Sequence, residues 1–150
     1  MEEKVNLLPL DSIEMDVRAD TWQEAVRAAG NILVRHHQAA PSYVDSMVNL
    51  ATELGPYIVM TPGVAIPHAR PEEGALQVGF AAVKLATPIN FGNKNNDPVH
   101  LVLAFCTPNA DAHIEMLSKI AEALGQDNLV EKIQAAKTPQ QLADLFIVAE

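Results

Sequence analysis

The chain has 150 residues, 49% of them hydrophobic, and a formal net charge of -9. This length suits one domain with a sizeable core, so we expect a single domain over residues 1–150. The negative charge argues against binding to nucleic acid or to anionic membrane surfaces. No apolar run approaches the ~20 residues of a membrane span, so no direct membrane insertion is expected.

Cysteine and histidine usage restricts the class of protein further. Cys106 is the single cysteine, which rules out an intrachain disulfide and is typical of a reducing compartment. Residues 1–4 do not read as a basic segment leading into an apolar block, so we expect no secretory leader and a cytoplasmic location. The five histidines form no helical His-x-x-x-His pair, and no structural metal is expected.

The first predicted elements are a strand and two helices. Polar and apolar residues alternate over residues 12–18, which predicts a half-buried strand. A helix follows, with Asp20 as its N-cap and Gln23 completing a capping box. A second helix begins at Pro41-Ser42 and ends at Gly55-Pro56. Helical spacing predicts the buried faces of the two helices: Trp22, Val26, Ala29 and Leu33 in the first, and Tyr43, Met47, Leu50, Ala51 and Leu54 in the second.

A second strand, predicted over residues 57–60, leads into a stretch rich in proline and glycine. Pro62-Gly63 favours a type II turn, and residues 64–66 form a short apolar run suited to a buried strand end. Pro67 holds the preceding residue extended and cannot donate to a ladder. His68 is therefore the first free side chain where this strand leaves the sheet.

His68 and Arg70 are the candidate functional residues of this stretch. A neutral imidazole is a good nucleophile near pH 7, since its ordinary pKa is about 6.5. Arg70 lies two residues further on and, in an extended segment, faces the same side. Its planar fork of donors suits phosphate or carboxylate oxygens. The pattern alone leaves open that His68 is an ordinary loop histidine, and that Glu72 and Glu73 hold Arg70 in a loop salt bridge.

The second half of the chain predicts two further strands and three helices. Residues 77–86 read as a long strand, and the nearly all-apolar residues 99–105 as a central strand buried on both faces. His100 and Cys106, at the ends of that strand, are expected to pack. Helix N-caps are predicted at Asp111, Asp127 and Thr138, and the buried stripe of the first of these helices at Ile114, Leu117, Ala121 and Leu124.

His113 is expected in the first turn of the helix that follows the central strand. Free backbone N–H groups at Ala112 and His113 would favour an anion there. The elements together predict a three-layer α/β fold, a mixed sheet with helices on both faces. Sites in such sheets cluster beyond strand ends, so His68 and His113 can face the same end.

The string Gly63-Val64-Ala65-Ile66-Pro67-His68 resembles the phosphorylation-site motif of enzyme IIA domains of the mannitol/fructose class. These domains belong to the bacterial phosphoenolpyruvate-dependent sugar phosphotransferase system. The resemblance continues through Gly74, Asn96-Asp97-Pro98-Val99 and His113, and covers residues from about 12 to 146. Over this longer string the chain is most similar to the ascorbate-specific branch.

The resemblance implies a single enzyme IIA type-2 domain with about five strands and no metal or cofactor. It implies that His68 accepts a phosphoryl group from the phosphorylated histidine phosphocarrier protein. The group then passes to a cysteine of the cognate enzyme IIB, which serves the membrane permease IIC. His113 would donate a hydrogen bond to the phosphoryl group, and Arg70 would supply positive charge. A homodimer is compatible with the family.

One departure from the family concerns the helix before the site. Many mannitol-branch relatives carry an arginine near its end, where this chain has Ala51-Thr52-Glu53, and this raises the importance of Arg70. Two functional alternatives stay open: a regulatory, nitrogen-type IIA-like phosphoprotein, and a IIA for a fructose- or mannitol-type sugar. A metal site made by His68 and His113 would lack a third ligand of obvious spacing.

Overall fold

The computed structural model describes residues 3–149, with every side chain in that range except that of Pro56. A mixed five-stranded sheet in the order β2-β5-β6-β4-β3 forms its centre. The strands of this sheet are β2 (Ile13–Val17), β3 (Val59–Thr61), β4 (Val64–Ala65), β5 (Gly79–Ile89) and β6 (Val99–Cys106). β2 is parallel to β5 and β4 to β6, while the β5–β6 and β3–β4 pairs are antiparallel.

Helices cover both faces of the sheet, as the predicted three-layer α/β fold requires. One face packs against α1 (Trp22–Arg35) and α2 (Pro41–Leu54), and the other against α3 (Ala110–Leu124), α4 (Leu129–Ala135) and α5 (Pro139–Ala143). No helix among residues 3–149 is long and apolar enough to cross a membrane.

β6 is the central strand that its apolar sequence predicted. Val102, Ala104 and Cys106 point into the core beneath α1 and α2. Leu101, Leu103 and Phe105 point into the core beneath α3 to α5. The alternation follows from the two-residue period of a strand. Because both faces are buried, apolar residues at successive positions are favourable throughout.

Two short strands that the sequence did not predict form a separate sheet. β1 (Lys4–Asn6) pairs antiparallel with β7 (Ile147–Ala149), next to the chain ends. Each strand has three residues, too few for an alternating pattern to stand out. The pairing therefore depends on tertiary structure bringing the two segments together. The strand predicted over residues 57–60 is observed as β3 from Val59 onward, because Tyr57 and Ile58 belong to a 3₁₀ turn, Pro56–Ile58.

Three predicted N-caps lie one or two residues away from the observed caps. α1 is capped by Thr21, whose hydroxyl accepts from the N–H of Glu24, and not by Asp20 with Gln23. α3 is capped by Asn109 and not by Asp111. Asn128, and not Asp127, occupies the cap position of α4. Several capping residue types lie close together in each case, so composition alone does not select one. Thr138 caps α5 as predicted.

Two helices bury residues other than those predicted. α3 buries Met116, Ile120 and Ala123, while Ile114 is 66% exposed. The helix is apolar on more than one side, so two stripes satisfy helical spacing and packing selects between them. In α2, Tyr43, Met47 and Ala51 are buried as predicted, but Leu54 is exposed.

Candidate functional site

Two neighbouring strand exits place His68 and His113 together. β4 and β6 are parallel and adjacent, so both chains leave the sheet at the same edge. His68 follows β4, and His113 lies in the first turn of the helix that follows β6. The two imidazole centroids are 5.4 Å apart. The structure thus brings the two histidines to one end of the sheet, as the sequence predicted.

The ring of His68 is held in one orientation and one tautomer. Its Nδ1 lies 3.0 Å from the carbonyl oxygen of Ile66. A carbonyl can only accept a hydrogen bond, so Nδ1 carries the proton and Nε2 keeps a lone pair. The ring stacks on Phe105, with centroids 4.9 Å apart and planes inclined by 28°.

Burial is the main cause that lowers the pKa of His68 below its ordinary value of 6.5. The hydrogen bond to Ile66 opposes this shift, and the proximity of His113 adds to it. The imidazole is therefore neutral near pH 7. A neutral ring with a free Nε2 lone pair is a nucleophile at a fixed position.

Tyr43 joins the two strand exits through one buried hydroxyl. The N–H of Ala69 donates to Tyr43 Oη at 3.1 Å. The hydroxyl oxygen lies 2.9 Å from the carbonyl oxygen of Phe105 and 3.2 Å from that of Ala69. Burial raises the pKa of Tyr43, so the hydroxyl keeps the proton that it donates. The bonds tie the segment that carries His68 to the strand beneath it.

Sequence reasoning assigned Tyr43 only to the apolar stripe of α2 and missed this role. The signal for it is weak: a tyrosine at a buried position must find a partner for its hydroxyl. That partner is a backbone group distant in the chain.

His113 is held by Thr107 and by the start of α3. Its Nδ1 lies 3.2 Å from Thr107 Oγ1, and its ring centroid lies 5.3 Å from that of Phe105. Thr107 is 1% exposed and was not singled out in the sequence.

The backbone N–H groups expected to face an anion at the start of α3 are already bonded. The N–H of Ala112 donates to Asn109 Oδ1 at 2.9 Å. The N–H of His113 donates to the carbonyl oxygen of Asn109 at 3.1 Å. This corrects the prediction that both amides are free, and it follows from the position of the cap at Asn109. These two amides are therefore not available as donors to an anion at this site.

Arg70 lies between two clefts. The first, of about 250 Å³, is lined by His68, His113 and Ile114 among others. The second, also of about 250 Å³, contains Glu53 and Glu73. Glu53, near the end of α2, thus lines the same cleft as Arg70.

The guanidinium of Arg70 has no ion-pair partner among residues 3–149. Glu73 instead accepts a hydrogen bond from Ser46 Oγ at 3.2 Å. The loop salt bridge with Glu72 or Glu73, which the sequence left open, is not formed. Arg70 is exposed and its charge is available at the edge of the histidine cleft.

The other reactive side chains near this sheet edge are structural or distant. The Cys106 thiol is buried between the carbonyl oxygens of Gln38 and Gln77, each 3.4 Å from Sγ. Burial raises the pKa of this thiol to about 12, so it is not a thiolate nucleophile at neutral pH. His100 begins β6, at the opposite end of the strand from Cys106. No group of three His, Cys, Asp or Glu residues within the described range could hold a metal ion.

The fold and the cleft together define a class: mixed α/β domains with two histidines at adjacent strand exits. A family model described as "Phosphoenolpyruvate-dependent sugar phosphotransferase system, EIIA 2" matches residues 6–148. The chain therefore belongs to the enzyme IIA type-2 family of the phosphoenolpyruvate-dependent sugar phosphotransferase system.

Individual relatives agree with this family. The chain is 34% identical to the "Ascorbate-specific PTS system EIIA component" of Escherichia coli strain K12 over 136 residues, which cover 90% of this chain and 88% of the relative. The solution structure of the mannitol-specific cryptic phosphotransferase enzyme IIA CmtB of Escherichia coli is 32% identical with a TM-score of 0.83, covering 93% of this chain and 95% of that one.

A third structure shows the same fold at lower identity. It is the complex of enzyme IIA mannitol with phosphorylated enzyme IIB mannitol of Escherichia coli. The match has a TM-score of 0.79 at 24% identity and covers 93% of this chain and 98% of that one.

Proposed function

We propose that this chain is a cytoplasmic phosphocarrier that accepts a phosphoryl group on Nε2 of His68. The observation that carries the proposal is the hydrogen bond from His68 Nδ1 to Ile66 at 3.0 Å. It leaves Nε2 as the nucleophilic atom, and burial keeps the ring neutral. Family membership supplies the class of reaction.

The donor in this proposal is the phosphorylated histidine phosphocarrier protein. The Nε2 lone pair of His68 attacks phosphorus in line, and the N–P bond of the donor breaks. The departing imidazole of the donor retains the electron pair of that bond. The chain then holds a phosphohistidine at the mouth of the cleft, with the negative charge of the phosphoryl group shared by its three oxygens.

The acceptor in this proposal is a cysteine of the cognate enzyme IIB. Its thiolate attacks the same phosphorus, an S–P bond forms, and the electron pair of the N–P bond returns to Nε2 of His68. The solved complex of a IIA with a phosphorylated IIB supports a IIB partner. Both interfaces must release quickly, so we expect small, transient contacts.

His113 and Arg70 stabilise charge on the transferring group in this proposal. Phosphoryl transfer depends mainly on positioning and on stabilising the equatorial oxygens. The ring centroid of His113 lies 5.4 Å from that of His68, and both rings line one cleft, so the proposal has His113 donate to an oxygen of the group on His68. Arg70 lines the same cleft, and its unpaired fork suits phosphate oxygens. The amides of Ala112 and His113 are bonded within α3, so the proposal assigns charge stabilisation to these two side chains.

We propose L-ascorbate as the sugar of the pathway because the relative at 34% identity is named as ascorbate-specific. The mannitol-specific name of the structural relative at 32% identity favours a mannitol-type sugar as the alternative. Uptake assays with the cognate permease distinguish these two. A chain that accepts phosphate but supports no sugar uptake would instead fit the regulatory alternative.

The acceptor residue is tested by phosphorylation in a purified system. With phosphoenolpyruvate, enzyme I and the phosphocarrier, the chain is expected to gain one acid-labile phosphate. His68→Gln is expected to gain none. His100→Gln, which alters a half-buried histidine at the other end of β6, is the matched control and should be phosphorylated normally. Normal uptake by His68→Gln would overturn the assignment.

A further inference from the structure

Thr107 is a polar residue buried directly behind His113. Ser12 and Thr107 are the two buried polar residues within the described range. Burial of a hydroxyl is unfavourable unless it is hydrogen-bonded. Thr107 Oγ1 lies 3.2 Å from His113 Nδ1, and this contact satisfies it.

The direction of this hydrogen bond follows from which groups can accept. Within residues 3–149, Thr107 Oγ1 has one hydrogen-bonding partner, and that partner is Nδ1 of His113. If Nδ1 carried the proton, the hydroxyl hydrogen of Thr107 would be buried without an acceptor. A buried donor without an acceptor is strongly unfavourable, because its hydrogen bond to water is lost and not replaced. The hydroxyl therefore donates to Nδ1, and the imidazole proton lies on Nε2.

We propose that Thr107 is a positioning residue that holds His113 as the Nε2–H tautomer, aimed at the phosphoryl group on His68. The inference rests on the proposed function. It assigns opposite tautomers to the two histidines: His68 has its proton on Nδ1 and a free lone pair on Nε2, while His113 has the reverse. His68 is then the nucleophile, and His113 is the hydrogen-bond donor.

The two tautomers are set by different partners on the two strand exits. The carbonyl oxygen of Ile66 fixes His68, and the hydroxyl of Thr107 fixes His113. A donor held in this way is already oriented before the phosphoryl group arrives, so it stabilises developing charge without reorganising during the reaction. Loss of Thr107 Oγ1 would leave His113 free to rotate while its side chain remained in the cleft.

The tautomer can be measured without any transfer reaction. Long-range ¹H–¹⁵N spectra of the unphosphorylated protein are expected to show His113 protonated on Nε2 and accepting a hydrogen bond on Nδ1. In Thr107→Val, which keeps the side-chain shape but lacks the hydroxyl, the hydrogen-bonded Nδ1 signal should be lost. Thr107→Ser should restore it. A wild-type His113 with its proton on Nδ1 would overturn the inference, whether or not any variant folds.

Transfer kinetics test the functional half of the inference. Thr107→Val is expected to transfer phosphate about 10-fold more slowly, a smaller effect than loss of a transition-state donor itself, because His113 remains in the cleft. KM for the phosphocarrier should stay unchanged, and Thr107→Ser should recover most of the rate. A Thr107→Val rate equal to wild type would overturn the positioning role. Absence of phosphate on the wild-type protein would overturn the proposed function instead, and the spectra would still decide the tautomer.

Discussion

The imidazole of His68 lies over the ring of Phe105, with centroids 4.9 Å apart. Phe105 belongs to β6 and His68 follows β4, so the contact spans the two parallel strands. Phe105 also lies 5.3 Å from the ring of His113. The buried ring of Phe105 therefore contacts the rings of both histidines. Its ring contributes to the burial that keeps His68 neutral.

Replacement of Phe105 by leucine is expected to raise the pKa of His68 toward 6.5, because water gains access to the ring. The lost apolar contact should reduce the free energy of unfolding by about 1–3 kcal/mol. NMR titration of the His68 ring and urea unfolding measure the two effects. Phe146→Leu is the matched control: Phe146 is fully buried in the same core and contacts Phe80. It should lower stability without shifting the pKa of His68.

Replacement of Tyr43 by phenylalanine removes the hydroxyl that bonds Ala69 and Phe105. The buried N–H of Ala69 loses its acceptor, so the free energy of unfolding should fall by about 1–3 kcal/mol. Phosphate transfer should also slow, because the segment that carries His68 is no longer tied to β6. Tyr57→Phe is the control, since Tyr57 is 79% exposed. Equal stability of the two variants would contradict this role of Tyr43.

Replacement of His113 by alanine is expected to slow transfer about 10²-fold, as loss of one transition-state donor does. His68 should still become phosphorylated at long times, since the nucleophile is intact. Rapid-quench measurement of phosphate uptake separates the rate from the final level. An unchanged rate would show that His113 takes no part in phosphate transfer and is an ordinary residue at the start of a helix.

Arg70 is expected to stabilise the phosphoryl oxygens through the paired N–H donors of its guanidinium group as well as through its charge. Arg70→Ala should slow transfer by about 10- to 10²-fold, and Arg70→Lys by less, because the charge remains and the bidentate geometry is lost. Arg35→Ala is the control, since Arg35 is exposed and pairs with Glu14. Rates equal to wild type for both Arg70 variants would rule out the role.

The lowered pKa of His68 predicts how stability depends on pH. The folded protein holds this ring with a pKa below the unfolded value of about 6.5. Below pH 6.5 the unfolded chain therefore binds more protons, and the free energy of unfolding falls as the pH falls. Urea unfolding of wild type at pH 7.5 and 5.5 should show this loss.

His68→Gln should lose part of this pH dependence. Part of the remaining pH dependence is expected to come from His100, whose pKa is lowered by burial and by Lys84. An identical drop in stability for wild type and His68→Gln would contradict the lowered pKa. His100→Gln provides the reciprocal comparison, and the two effects should add because the residues lie at opposite ends of the sheet.

The sequence by itself determined the features that depend on local backbone chemistry. The apolar run of β6 predicted a central strand, and Pro41 and Thr138 located the starts of α2 and α5. Gly63 has a φ of 79° in the turn between β3 and β4, as the predicted type II turn requires. Pro67 and Pro71 indicated a stiff segment around His68. Each of these inferences uses residues within a few positions of one another.

Only the tertiary structure decided which groups meet through space. Helical spacing admitted two stripes on α3, and packing on the sheet buried Met116 and Ile120 and left Ile114 exposed. Asn109, and not Asp111, caps α3. Its side chain and its carbonyl accept hydrogen bonds from the amides of Ala112 and His113, which were expected to be free. Contacts between distant segments likewise set the partner of the Tyr43 hydroxyl. Such distances depend on how strands and helices pack, a property that no local pattern of residues encodes.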